Sequence, residues 1–311
     1  MFWVCKSFSR VSPGVLKYRS LPVPDFRNSK CKLKINSIVC PRLFSTCYSL
    51  NKLSETKASI ETDGGAREKK LLEAKNLRNR FWKAASLRTS EEGYEICLDG
   101  RILRTPNGVP LRIPPNRTTF AHLVAGEWES QEKVLKIHAL PLTSLAARAI
   151  DGLNTEESRI KVVSLLSKYL DTDSVCYQQD FPQKLVKLQS EHFDPILSWV
   201  EKKFGLKPNV TSSIIGSKQP VKVTKALQKA ALQLDPLELA GFERATIAAK
   251  SFIIGLALMH REISVETAAQ ASHVEVQFQI SQWGEVEDTH DVDHQSIRRN
   301  FGAAVATTLR D

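Results

Sequence analysis

The sequence predicts an α+β protein: a small N-terminal antiparallel sheet with one helix packed on it, followed by a larger all-α helical region. Three observations carry this expectation. Between residues 81 and 113, short apolar alternations are punctuated by Asp99-Gly100 and Asn107-Gly108, dipeptides that tolerate the positive φ angles a tight hairpin demands. From Pro141 onward the apolar spacing changes to steps of three and four, and no long strand pattern returns. The helical part is broken at Pro208, Gly216, Pro220, Pro236 and Gly284, residue types that stop helices.

Ahead of the sheet the sequence reads differently. Nine of the chain's 44 Lys and Arg residues lie within residues 1–50 beside a single acid, Asp25; the remaining 261 residues hold 35 bases and 33 acids. A basic, Ser-rich, acid-poor start is the composition of a mitochondrial transit peptide, expected here over residues 1–44. Arg42-Leu43-Phe44-Ser45 resembles a matrix-peptidase cleavage pattern, which puts the mature start near Ser45. Residues 45–77 read as a flexible lead-in with a marginal helix from about residue 67. The near-neutral body removes the basic surplus that a phosphate-backbone binder needs, so no nucleic-acid partner is expected. The longest apolar run, 252–259, is far too short to cross a bilayer, so no stable membrane insertion is expected. Cys5, Cys31, Cys40 and Cys47 fall in or near the leader, and Cys97 and Cys176 stand apart without metal or redox spacing, which predicts reduced thiols.

The small α+β domain is expected over 78–140. Strands are predicted at 81–87, around Tyr94, Ile96 and Leu98, at 101–104, and at Leu111 and Ile113, with Pro114-Pro115 ending the sheet by removing backbone donors. Asn116 is placed to cap a helix whose apolar face is Phe120, Leu123, Val124 and Trp128. The helical domain, 141–311, is predicted as helices at 142–153, 155–170, 183–204, 221–233, 236–260, 264–282 and 292–309, with a short strand at 175–177. Asp194-Pro195 divides or kinks the third, as a cap followed by a first-turn proline. Ala245, Ala249, Phe252, Leu256 and Met259 mark the fifth as one long helix buried along a seam.

Chemical motifs are scarce. No phosphate-binding G-x-x-x-x-G-K, dinucleotide G-x-G-x-x-G, nucleophile-elbow G-x-S-x-G or zinc-binding H-E-x-x-H pattern occurs, and Gly216-Ser217-Lys218 lacks the upstream glycine of a phosphate loop. Glu285, Glu287, Asp288, His290, Asp291, Asp293 and His294 form the densest polar cluster. His290 and His294 share a helix face, which keeps open a metal-dependent matrix enzyme; acids favouring a helix N-terminus are the simpler account. Leu170-Asp171-Thr172-Asp173 likewise reads as a capping turn more readily than as a catalytic pair. In the 264–282 helix, Val265, Ala269, Val276 and Ile280 project to one inward face. Ser272 on that face is small enough to be buried if its hydroxyl bonds back one turn. Glu275, Gln279 and Gln282 border that face, Phe278 projects to the far side as an exposed ring, and Trp283 follows; such a surface suits protein docking.

These fragments gather into a resemblance. Arg80-Phe81-Trp82-Lys83, Leu98-Asp99-Gly100-Arg101, Leu103-Arg104-Thr105-Pro106, Glu127-Trp128 with Gln131, and Pro141-Leu142-Thr143 stand in order along the chain. So do Ala149-Ile150-Asp151, Leu170-Asp171-Thr172-Asp173 with Cys176-Tyr177, Asp194-Pro195 with Trp199, and Glu275 with Gln279 and Trp283-Gly284. Over residues 78–300 the chain resembles the mitochondrial F-type ATP synthase assembly factor 2 family, chaperones of the alpha subunit. Leu140 and Phe193 depart from the family's usual Met and Trp, swaps that touch packing alone. The resemblance implies a matrix chaperone and not an enzyme, with no cofactor, no metal and no catalytic residues. It implies a transient complex with the free alpha subunit, and a monomer is expected when the chain is free. It places partner binding on Glu275, with Gln279, Phe278 and Trp283 beside it, and leaves Asp99, Arg101, Glu127 and Trp128 to hold the fold.

Overall fold

Residues 79–213 and 218–311 are described by the structure, a computed structural model. The expected leader, the lead-in with its marginal helix, the four cysteines there and Gly216-Ser217 lie outside the described residues. Strands β1 (Ala85–Ser90), β2 (Gly93–Leu98), β3 (Arg101–Ile102) and β4 (Arg112–Ile113) form one antiparallel sheet around β2. β2 pairs with β1 along its whole length, from Ala85 opposite Leu98 to Ser90 opposite Gly93; Cys97 and Leu98 also face β3, and Tyr94 and Glu95 face β4.

The predicted turns form. Asp99 and Gly100 take φ of 47° and 79°, and Gly108 takes 81°. β1 begins at Ala85 and not at residue 81, because the backbone before it is satisfied differently: the Asp99 carboxylate accepts the Lys83 and Ala84 N–H groups, both at 3.0 Å. The β1–β2 turn, unforeseen in the sequence, depends on Gly93 at φ 130°, where a Cβ would collide with the Ile113 carbonyl.

Helix α1 (Thr118–Glu129) buries Phe120, Ala121, Val124 and Trp128 against β1 and β2, while Leu123, expected inside, is exposed. Asn116 does not cap it. The Asp311 carboxylate instead accepts the Thr118 and Thr119 N–H groups, a partner from the far end of the sequence.

Then come α2 (Pro141–Gly152), α3 (Glu156–Leu166), 3₁₀ turns at Ser167–Thr172 and Ser174–Cys176, α4 (Gln183–His192), α5 (Asp194–Phe204), α6 (Val221–Leu232), α7 (Pro236–Ala249), α8 (Phe252–Met259), α9 (Val265–Ser272), α10 (Val274–Trp283) and α11 (Thr289–Ala306). Four expectations are corrected. Residues 175–177 form no strand; only Tyr177 bridges to Thr211. Pro195 occupies the first turn of α5, but the Asp194 side chain does not cap it. The long helix 236–260 breaks at Lys250, whose φ of 54° is left-handed, and Ser251 restarts it as the cap of α8. The 264–282 helix breaks at His273, with Ser264 capping the first piece.

The reason α8 sits at the centre is composition: all eight of its residues are apolar or Gly, and all are buried, with α5, α7, α9 and α11 packed around it. Buried side chains continue without a gap from Trp82 beside the sheet to Ala304 in α11. Cys97 and Cys176 are free and buried.

Candidate functional site

Helix α10 has one seated side and one open side. Val274 is buried, and Val276, Phe278 and Ile280 are partly buried where the helix lies against α4 and α9. Phe278 packs against the core, which corrects the expectation of a freely exposed ring. Glu275, Gln279, Gln282 and Trp283 are exposed, and their spacing of three and four puts them on one face. Trp283 is 77% exposed, an unusual state for so large an apolar surface. Ser272 bonds back as expected, its Oγ donating to the Ala268 carbonyl at 2.8 Å.

His273, buried at the break between α9 and α10, fixes where that face points. Its Nε2 lies 2.9 Å from the Asp293 carboxylate, and its ring centre is 4.8 Å from that of His294. The His273 carbonyl accepts the Gln277 N–H at 2.7 Å and opens α10; Gly284, at φ 87°, closes it.

The acid and histidine cluster does not converge. His290 Nδ1 accepts the Val286 N–H at 3.0 Å, and the His294 ring is turned toward His273. No carboxylate side chain caps α11, so the capping expected of these acids is not made, although Asp291 stands in the first turn where the helix dipole favours it. Among the described residues no three His, Cys, Asp or Glu side chains come together in a metal-holding group.

Other polar residues singled out in the sequence are occupied in holding the fold. Asp173 is fully buried and accepts the Val175 N–H (3.1 Å), the Ser251 hydroxyl (2.6 Å) and the Phe252 and Ile253 N–H groups (2.8 and 3.1 Å), so its turn caps both a 3₁₀ turn and α8. Burial pushes its carboxyl up to about 6, with the hydrogen bonds pulling the other way. Glu127 accepts the Leu142 N–H at 2.7 Å and the Thr143 N–H and hydroxyl at 2.8 Å, closing the first turn of α2; burial raises its pKa against those bonds. Trp128 Nε1 donates to Thr143 Oγ1 at 3.0 Å, and Trp82 Nε1 donates to the Trp128 carbonyl at 3.3 Å. Arg101 is exposed. Sequence reasoning missed Arg117, only 1% exposed, whose guanidinium donates to Asp235, to Glu238 and to the Thr307 and Leu309 carbonyls. Nothing local to Arg117 announces this, though Asp235-Pro236-Leu237-Glu238 has the spacing of a capping box and forms one.

The elements that meet here are those of known proteins. Residues 79–201 match the family model described as ATP12 chaperone protein. The mitochondrial protein atp12 of Schizosaccharomyces pombe is 30% identical over 269 residues, spanning 84% of this chain and 88% of that protein. The chain belongs to the ATP12 chaperone family. Mitochondrial ATP12 of Saccharomyces cerevisiae is also 30% identical, over 74% of this chain and 84% of its own length. The crystal structure of Atp12 from Paracoccus denitrificans shares the fold, with a TM-score of 0.64 at 28% identity over 75% of this chain and 96% of that one. Membership makes the chain a mitochondrial chaperone of ATP synthase assembly. The ATP12 match ends at residue 201, ahead of α10. Inside it, Glu127, Trp128 and Thr143 join α1 to α2, and Asp99 ties the hairpin to the segment before β1, so the motif residues build the frame.

Proposed function

We propose that this chain is a non-enzymatic chaperone of the mitochondrial matrix that holds the free alpha subunit of the F-type ATP synthase until beta subunits replace it. Glu275, Gln279, Phe278 and Trp283 make the contact. The observation that carries this reading is the exposure of Glu275, Gln279 and Trp283 on one face of a helix whose other face is seated on the fold. Phe278 supports the face from below, its ring partly at the surface.

The physical logic is that an unassembled subunit exposes surface meant for its neighbours, and such surface associates wrongly when left uncovered. A cover that must later leave is better built from directional polar groups around one aromatic anchor than from a large apolar area. Of the residues weighed for chemistry, Asp173 has its oxygens taken by backbone N–H and hydroxyl donors, Asp171 accepts the Gln219 N–H, and the acids and histidines near residue 290 do not converge, which favours chaperoning over catalysis. Among the described residues no helix is long and apolar enough to cross a membrane.

The test is co-purification with the alpha subunit and suppression of its aggregation by light scattering, comparing wild type with Glu275→Lys. Loss of recovery by about tenfold or more is expected, since a reversed charge at a docking face meets the group it formerly attracted. Equal recovery removes Glu275 from the contact, and an alpha subunit that stays soluble without the chaperone ends the reading.

A further inference from the structure

We propose that the turn joining α10 to α11 extends the docking surface and accepts a basic, apolar segment of the client. This rests on the reading of α10 as a docking face and adds the chemistry of what it holds. Trp283, Val286 and Val292 are 77%, 58% and 65% exposed within ten residues of one another. A single exposed apolar residue needs no explanation, but three large ones within ten residues around one turn leave apolar surface that water disfavours and a partner would cover.

The charge around the patch states what kind of partner. Between Arg261 and Arg298 the sequence has eight acids, Glu262, Glu266, Glu275, Glu285, Glu287, Asp288, Asp291 and Asp293, and no Lys or Arg. Glu266 is bound by Arg298 at 2.8 Å, and Asp293 by His273. Glu285, Glu287, Asp288 and Asp291 are exposed and pair with no cation among the described residues. The turn is also closed by its own bonds: Val286 N–H to His290 Nδ1 at 3.0 Å, His290 N–H to the Val286 carbonyl at 3.2 Å, and Thr289 N–H to the Glu287 carbonyl at 2.7 Å. The apolar side chains are therefore held outward by an ordered backbone, which lowers the cost of binding. The excess of negative charge around the turn, which Arg299 beside Asp291 and Val292 offsets only in part, repels nucleic acid and anionic lipid and attracts Lys or Arg set beside apolar side chains.

The test titrates the full chain with a fluorescent amphipathic peptide of leucine and lysine, read by anisotropy, with a leucine and glutamate peptide as control. The purified alpha subunit is captured in parallel. The variants are Glu285→Lys combined with Glu287→Lys, Val286→Ser alone, and Lys222→Glu on α6 as a remote control, each checked for unchanged circular dichroism. Expected are binding of the lysine peptide only, roughly tenfold weakening by the double reversal, steep loss with added salt, and no effect of Lys222→Glu. Lysine-peptide binding that is absent, or equal across all variants, overturns the proposal. So does self-association of the wild type that the turn variants abolish, since a second copy would then be the cover. Alpha-subunit capture lost on Glu275→Lys but intact in the turn variants sinks this inference and leaves the α10 face standing. Peptide binding through the turn with no capture of the alpha subunit by any form supports the surface chemistry and removes the alpha subunit as its client.

Discussion

His273 Nε2 lies 2.9 Å from the Asp293 carboxylate, which ties the residue between α9 and α10 to the second turn of α11. The His273 ring is buried while Asp293 is exposed, so one side chain anchors the start of the docking helix from inside the fold. His273→Ala removes the bond and leaves a gap under α10. A stability loss of about 2 kcal/mol in urea titration is expected, with faster amide exchange along α10 and little change in α8. Unchanged exchange in α10 would mean that packing against α4 and α9 holds it without the His273–Asp293 bond.

Both hairpin dipeptides, the switch to helical spacing at Pro141 and the buried run 252–259 were legible, because each is a local pattern whose physics is complete within a few residues. The breaks at Lys250 and His273 were not. Periodicity runs through both, and the partners at these breaks are remote: Asp173 offers its carboxylate to the Ser251, Phe252 and Ile253 donors some eighty residues away, and His273 pairs with Asp293. The same holds for Asp311 at the start of α1. On α10 the exposure of Glu275 and Gln279 followed from helical projection, whereas the seating of Phe278 depends on neighbours that a single helix cannot reveal.

Arg117 joins the sheet side to the helical side through Asp235, Glu238 and two carbonyls near residue 308, with Arg310 donating to the same Glu238 at 2.7 Å. Removing the guanidinium takes the side-chain donor from the Thr307 and Leu309 carbonyls and leaves the buried Glu238 carboxylate to Arg310 and one backbone N–H. Arg117→Met is expected to cost about 3–5 kcal/mol, read as a large fall in Tm. Arg117→Lys recovers little, because one ammonium cannot serve four acceptors set in a fork. A lysine variant as stable as wild type would show that charge alone suffices.

Glu127 closes the first turn of α2 from α1. Glu127→Ala strands the Leu142 and Thr143 donors and is expected to cost about 1–2 kcal/mol in chemical denaturation, with Glu127→Gln intermediate because one acceptor oxygen survives. Equal stabilities of the alanine and glutamine variants would show that solvent replaces the carboxylate.

Asp173 makes the sharpest prediction about pH. Burial holds its carboxyl at about 6 in the folded protein, above the ordinary aspartate value near 4 that the unfolded chain restores. Between those values the folded state binds the proton and the unfolded state does not, so this group's contribution to stability increases as pH falls from about 7 to about 4. Over the full window the gain is on the order of 3 kcal/mol. Asp173→Asn abolishes it and is destabilised at neutral pH, since an amide presents N–H groups to backbone donors. The measurement is the difference in unfolding free energy between wild type and Asp173→Asn at several pH values, which cancels the other carboxylates. A difference that widens toward pH 4 is expected; one that is flat or narrows would show that the four hydrogen bonds outweigh burial and keep the carboxylate ionised.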